Sequence, residues 1–360
     1  MARRKTRNFM LGGVGIGSNH PVSVQSMTKT DTRDIEETST QIRELAEAGC
    51  DIIRLAVVDE DAAKALGPIR KASAIPIIAD IHFDYKLALT AMEAGVDGLR
   101  INPGNIGSRW KVEEVVKSAE EKGIPIRVGV NSGSVEREFR EKFGGPTVEA
   151  MVESGLSHIR ILEDLNFRNV KVSLKATDVE RTLDANRLFA SKTDIPLHLG
   201  VTEAGTVWSG SIKSSVGLGI LLGEGIGDTI RVSLTGHPVE EVRVGWQILK
   251  SLELRYRGVN IISCPTCGRL EIPIEDLCHK FEAELTHIEH PFNLAIMGCV
   301  VNGPGESTHA DIGIVAHHSG DIRAYKDGKF WQRIPFDDLV PVIRDEFERK
   351  WEEIKAGKSA

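Results

Sequence analysis

Ser263-Cys264-Pro265-Thr266-Cys267-Gly268-Arg269 presents two thiols at a spacing that lets both reach one metal centre. Thirty-two residues past Cys267 comes Cys299, within Met297-Gly-Cys299-Val-Val-Asn302-Gly-Pro-Gly-Glu306. Its glycines let the backbone lie close against a bulky inorganic centre and aim N–H groups at it. Cys278 shares a helical apolar stripe with Ile274, Leu277, Phe281 and Leu285 and reads as a core cysteine. Cys50 opens a strand and reads as packed. Three thiolates remain, Cys264, Cys267 and Cys299, with the fourth position open or filled by a non-cysteine ligand. Structural zinc usually wants a closed set of four. An iron–sulfur cluster with one differently ligated iron, or a zinc knuckle, therefore both stay open on spacing alone. His287-x2-His290 and His317-His318 carry metal-binding residue types but read as solvated or structural.

A second set of chemical residues lies upstream and is charged. Arg54, Arg100, Arg127, Lys175 and Arg231 each fall within or beside a separate β-branched run. Two further runs end in Asp80-Ile-His82-Phe-Asp84 and Val201-Thr-Glu203-Ala-Gly205, while Asn102, Asn131 and Ser233 add neutral hydrogen-bonding groups. A charge inside a strand is costly unless it faces a partner or a polar cavity. Several cations converging from separate strands suit a polyanionic ligand, a phosphate or diphosphate. Asp80, His82 and Asp84 alternate and so point the same way, which would also suit a divalent metal. Glu203, with basic groups nearby, is the best single candidate for a general acid or base.

These residues need a frame that gathers strand ends. Eight runs supply it: Val22–Met27, Ile52–Val57, Pro76–Ile81, Gly98–Asn102, Pro125–Val130, Val170–Lys175, Pro196–Val201 and Thr229–Leu234. Amphipathic stretches between them stop at Gly49, Gly95 and Gly123. Strands alternating with helices predict parallel β-α-β units, and eight units close naturally into a (β/α)8 barrel with catalytic groups at the C-terminal strand ends. An open doubly wound sheet is the rival. Glu47–Leu55 and Glu93–Ile101 form a weak internal repeat, each reading as helix end, turn and strand with an Arg. Glu153–Ile161 looks similar but keeps a helical period, which explains the long interval before the sixth strand. Gly12, Gly13, Gly15 and Gly17 precede a strand and miss the G-x-G-x-x-G register, so a hairpin at the barrel floor is expected in place of a dinucleotide site.

The chain has 360 residues, of which 45 are basic and 52 acidic, giving a net charge of −7 that weighs against nucleic-acid binding as its main business. A barrel takes about 250 residues, so the expected organisation is a barrel over 1–258 and a smaller α/β domain over 259–360. Four of the five cysteines fall in the latter. The sequence carries no apolar run long enough for a signal peptide or a spanning helix and no Asn-x-Ser/Thr site, so a cytoplasmic protein with reduced cysteines is expected. Phe336–Lys355 reads as a charged amphipathic helix closing the smaller domain.

Taken together, Cys264-Pro-Thr-Cys267-Gly-Arg, Met297-Gly-Cys299-Val-Val-Asn-Gly-Pro-Gly-Glu306, Val24-Gln-Ser-Met27, Ala79-Asp-Ile-His82-Phe, Arg100-Ile-Asn-Pro-Gly-Asn105 and Leu199-Gly-Val-Thr-Glu203-Ala-Gly205 resemble the bacterial 4-hydroxy-3-methylbut-2-enyl diphosphate synthases over nearly the whole chain. The resemblance implies an oxidoreductase of the non-mevalonate isoprenoid pathway. Such an enzyme opens 2-C-methyl-D-erythritol 2,4-cyclodiphosphate and removes a hydroxyl with two electrons from reduced flavodoxin or ferredoxin. It implies a [4Fe-4S] cluster on Cys264, Cys267, Cys299 and Glu306, and diphosphate contacts from Arg54, His82, Arg100, Arg127, Asn131, Lys175 and Ser233. Glu203 carries over as proton donor. The family's short form is a homodimer whose active site joins the barrel of one subunit to the cluster domain of the other.

Overall fold

The structure, a computed structural model, describes residues 2–301, 303–317 and 321–357; Asn302 and His318, named above, lie outside the described residues. The chain divides into two compact units, Met1–Arg255 and Tyr256–Ala360. The division falls slightly before Gly258 for a local reason. Arg255 is tied to the first unit by Asp51 at 2.6 Å and by stacking over Trp246 at 4.4 Å. The Gly258 N–H already donates to the Glu289 carbonyl.

In the first unit a short antiparallel hairpin, β1 (Phe9–Leu11) and β2 (Val14–Ile16), precedes eight parallel strands. These are β3 (Ser23–Met27), β4 (Ile52–Ala56), β5 (Ile77–Asp80), β6 (Gly98–Ile101), β7 (Ile126–Asn131), β8 (Val170–Lys175), β9 (His198–Leu199) and β10 (Thr229–Ile230). Their order, β8-β7-β6-β5-β4-β3-β10-β9, is closed by a parallel bridge between Val172 and Leu197. Every expected run forms a strand. The last two shrink to two residues because the chain turns early into loops, where the Thr235 N–H donates to the Gly205 carbonyl.

Helices cover the outside. Asp34, Asp59, Asp84 and Asp178 each accept an N–H from the first turn of the helix that follows, supplying the partner that turn lacks. Gly123 ends the helix Arg109–Lys122 in the left-handed conformation, φ 64°. The helix Val148–Asp164 fills the long interval between β7 and β8. Alternation along the strands then sorts the two faces. Ile53, Leu55, Ala79, Leu99, Ile101, Val128 and Leu174 join the aliphatic layer under the helices. The other parity points into the barrel, where Ile52 and Ile78 meet Phe9, Leu11 and Ile16 of the hairpin. The hairpin is thus the barrel floor, as expected.

The second unit is a five-stranded sheet, β11 (Asn260–Ser263), β12 (Asn293–Met297), β13 (Ile312–His317), β14 (Asp321–Lys326) and β15 (Lys329–Arg333), in sequential order. The first three strands are parallel and the rest antiparallel. Helices Ile274–Glu284 and Leu339–Lys355 bury Leu277, Phe281, Ile343 and Phe347 with Leu294, Ile296, Ile312 and Ile314 of the sheet. The closing helix starts at Leu339, not Phe336, because Phe336–Asp338 after Pro335 forms a 3-10 turn. Among the described residues, no helix is long and apolar enough to cross a membrane.

Candidate active site

Above the aliphatic floor the inward-facing positions turn polar. Asp80, at the end of β5, is the hub. Its carboxylate lies 3.1 Å from Arg100 Nη1 on β6 and 3.6 Å from Arg54 Nε on β4. His82 Nε2 stands 3.0 Å from Arg100 Nη1 and 3.6 Å from Asp80 Oδ1. Burial pushes the Asp80 carboxyl up, but Arg54, the His82 hydrogen bond and Arg100 outweigh it and hold the group far below the usual carboxylate range. Asp84 does not join this set, because its carboxylate caps the next helix through the Lys86 N–H at 2.9 Å.

Arg127 and Lys175 extend the cationic set. Both are almost wholly buried, Arg127 at 2% exposure, and its Nε and Nη1 have no hydrogen-bond partner among the described residues. Burial first, and then neighbouring arginines, push both groups well below their ordinary values, while Arg54 is lowered to about 10 by burial, with Arg231 and Arg100 adding to the shift against Asp80. Two glycines make room for these long side chains. A β-carbon at Gly129 would stand 2.8 Å from Arg100 Nε, and one at Gly200 would stand 2.5 Å from Lys175 Nζ. Asn131 neighbours Lys175 in the β7–β8 register. Ser233 is half-buried in the loop after β10. Glu203 is exposed in the loop after β9, with φ at 51°, a conformation that non-glycine residues adopt rarely.

Several members escape a reading of the sequence. Lys171 and His198 are fully buried, and Lys171 Nζ and His198 Nε2 lack a partner among the described residues. The alternation Lys171-x-Ser173-x-Lys175 carried the signal for Lys171. Glu241, from the first turn of the helix Pro238–Ser251, meets Arg231 at 3.2 Å and accepts from Ser26 Oγ at 3.1 Å. That gives Arg231 a carboxylate partner of its own, as Arg54 and Arg100 share Asp80. On the same rim, Glu136 binds His158 Nε2 at 2.7 Å, Ser154 Oγ at 2.6 Å and Asn102 Nδ2 at 3.4 Å. Asn102 in turn accepts the Gly104 N–H at 3.1 Å, fixing the Arg100-Ile-Asn-Pro-Gly turn.

In the second unit, Cys264 and Cys267 follow β11 and Cys299 follows β12, so both loops leave the same end of a parallel pair. The Cys264 N–H donates to the Ile296 carbonyl at 3.3 Å and the Glu271 N–H to that of Gly298 at 3.1 Å, which fastens one loop to the other. A β-carbon at Gly298 would press within 2.6 Å of Leu270, so the close approach needs glycine. Glu306 is exposed on the short helix Gly303–Ser307, between β12 and β13. All cysteines are free thiols. Cys50 is buried, donates to the Ile52 carbonyl at 3.0 Å, and has its thiol pushed up to about 12 by burial. Cys278 packs with the aliphatic cluster beside Cys264. Among the described residues no three His, Cys, Asp or Glu side chains are grouped closely enough to hold a metal ion.

Comparison with known proteins covers both units. A model of the GcpE TIM-barrel domain matches residues 6–246, and one of the GcpE protein C-terminal domain matches 260–349. The chain is 56% identical over 347 residues to the 4-hydroxy-3-methylbut-2-en-1-yl diphosphate synthase (flavodoxin) of Geobacter sulfurreducens, covering 96% of this chain and 98% of that one. The protein of the same name from Lawsonia intracellularis is 59% identical over 348 residues, covering 96% and 97%. Among solved structures, dihydropteroate synthase from Stenotrophomonas maltophilia aligns at 13% identity with a TM-score of 0.51, over 69% of this chain and 98% of that one. That likeness concerns the barrel fold alone.

Proposed function

The chain belongs to the GcpE family, and from that premise we propose that it opens 2-C-methyl-D-erythritol 2,4-cyclodiphosphate reductively to (E)-4-hydroxy-3-methylbut-2-enyl diphosphate. Two electrons enter, the ring C–O bond to phosphate and the C–OH bond break, and the hydroxyl leaves as water. The observation that carries the reading is the surplus of buried cations at one end of the barrel, with Arg127 Nε and Nη1 unpartnered among the described residues. A cyclic diphosphate supplies the missing acceptors.

In this reading Arg54, Arg100, Arg127 and Lys175 take the phosphoryl oxygens, with His82, Asn131 and Ser233 at the rim. Asp80, in reach of both, holds Arg54 and Arg100 in place while they wait for the ligand. Glu203 donates the proton that lets the hydroxyl depart as water, and its exposed loop beyond β9 supports that role.

The donors on the second unit fit a [4Fe-4S] cluster in kind: three free thiols on two loops fastened together at the ends of β11 and β12, and a carboxylate on the following helix. Cys264, Cys267, Cys299 and Glu306 would hold it, and when bound it supplies single electrons for reductive C–O cleavage. A carboxylate is a harder, more exchangeable ligand than thiolate, which suits Glu306 to yielding its place. Reduced flavodoxin, the donor in the relatives' name, is the electron source. Two copies of the chain form the working unit, the barrel of one serving the cysteines of the other.

Anaerobic purification with iron, sulfide and zinc analysis, followed by turnover of the cyclic diphosphate with reduced flavodoxin, tests the whole reading. Cys299→Ser should lose iron and Cys278→Ser should keep it. A colourless zinc protein would overturn the assignment.

A further inference from the structure

One side of the barrel interior stays polar down to the depth of the floor. Ser23 on β3, Thr229 on β10 and His198 on β9 form one register row across three adjoining strands. The bridge between Val172 and Leu197 sets β8, with Lys171, against β9. Gln25, two residues past Ser23 and facing the same way, is in register with Ile52 of the floor. Lys175 lies four residues further along β8, about 13 Å nearer the mouth. Ser23, Gln25, Lys171 and His198 are each 1% exposed or less. Ser23 Oγ, both amide atoms of Gln25, Lys171 Nζ and His198 Nε2 have no hydrogen-bond partner among the described residues. His198 Nδ1 is 2.7 Å from Thr229 Oγ1; with that hydroxyl donating, Nε2 carries the ring proton.

Charge on this arc is as unbalanced as its hydrogen bonding. Arg127 and Arg54 repel the Lys171 ammonium, and Asp228 attracts it. Asp228 is already engaged, accepting from Arg3 at 3.0 Å, Thr6 Oγ1 at 3.0 Å and the Leu197 N–H at 2.8 Å. Asp80 is committed to Arg54 and Arg100. Buried water satisfies donors but brings no charge, and an ammonium buried without a counter-charge is costly. We propose that this arc is a second anion site, below the diphosphate cations, and that it holds one small monovalent anion of the halide class. Lys171 Nζ, His198 Nε2, Gln25 Nε2 and Ser23 Oγ supply four donors, and Lys171 supplies the opposite charge. Those numbers set the class of ligand. A phosphate would bring about two charges and four oxygens to one cation and four donors. None of these donors is assigned to the cyclic diphosphate, so the site stands independently of the reaction proposed above. The bound ion is a resident counter-charge that relieves the repulsion between Lys171 and Arg127 and leaves the Arg127 donors to the mouth.

Anomalous scattering from crystals of the full chain grown in bromide tests this. Wild type should show a bromide peak in contact with Lys171 Nζ and His198 Nε2. The peak should persist when pyrophosphate fills the mouth and should vanish in Lys171→Met. In solution, exchanging gluconate for chloride at constant ionic strength should raise the melting temperature of wild type by about 2–4 °C. The same exchange should move Lys171→Met by no more than about 1 °C. Where Lys171→Met does not fold, the wild-type peak and its persistence beside pyrophosphate decide the matter. Ordered water alone at Lys171, or displacement of bromide by pyrophosphate, overturns the second site. So does a peak that survives Lys171→Met, which marks an adventitious ion only. Each of these outcomes leaves the diphosphate reading standing.

Discussion

Replacing Arg127 by methionine should stabilise the ligand-free protein while removing most of what a diphosphate adds to it. The side chain is 2% exposed, and its Nε and Nη1 have no partner among the described residues. A buried donor left unsatisfied costs about 1–3 kcal/mol. The arginines nearest it, Arg54 and Arg100, repel, and Asp80 offsets them in part. Methionine keeps most of the aliphatic stem and adds no donor. Relief of a buried, poorly compensated charge is worth about 1–4 kcal/mol, so urea unfolding followed by far-ultraviolet circular dichroism in a phosphate-free buffer should show a gain of that size. Pyrophosphate at a hundredfold excess over its dissociation constant adds about 2.7 kcal/mol to wild type by linkage. Loss of one charge-assisted hydrogen bond, about 1.5–3 kcal/mol, weakens binding by roughly 10- to 100-fold. At the same pyrophosphate concentration the variant should then gain only about 0.4–1.4 kcal/mol. A folded variant that loses more than about 1 kcal/mol without pyrophosphate, or that keeps the full wild-type gain with it, would refute the view that this cation waits for a ligand.

Gly129→Ala should fold with little change in stability, since its β-carbon meets the movable end of Arg100, yet raise KM for the cyclic diphosphate by about tenfold, worth 1.4 kcal/mol. Gly200→Ala, which would also press on the Arg231 carbonyl at 2.5 Å, should lower the melting temperature instead. Burial pushes the Glu136 carboxyl up, but hydrogen bonds from His158 and Ser154 outweigh it and hold the group at about 2. Its folded value lies below the ordinary value near 4.3, so its contribution is complete above that pH and is lost as pH falls towards 2. The stability gap between wild type and Glu136→Gln, open at neutral pH, should close over that interval in urea titrations. Glu203→Gln should leave the visible spectrum of the cluster intact and lower kcat by about 10²-fold or more; retained turnover would remove Glu203 from the proton step.

Much of the barrel was legible because its strands are short β-branched runs and several of its helices stop at a glycine, Gly49, Gly95 and Gly123 among them. Strand ends were less so. Pro196–Val201 and Thr229–Leu234 kept two ladder residues each, since the loops they feed bond to each other. The charged set could be listed from sequence but not sorted. Arg231 looks like its companions until Glu241 folds back from the next helix to pair with it. Lys171 hid within a strand whose other charge drew the eye. The Glu136–His158 pair joins a loop to a helix with no sequence period to announce it. Which cation pairs internally and which stays available is decided by register across the barrel, and one strand read alone contains no record of its neighbours.

The hairpin of Phe9–Leu11 and Val14–Ile16 has a kinetic consequence. With the lower end stopped by aliphatic side chains, the field of Arg54, Arg100, Arg127 and Lys175 emerges through low-dielectric walls in one direction only. The protein as a whole, at −7, repels an anion. A diphosphate is drawn by the cations at the open end of the barrel against the protein's net negative charge. Encounter is therefore directional, and raising ionic strength should slow capture far more than it slows release. The floor, remote from every reacting atom, helps to set how fast the substrate is found.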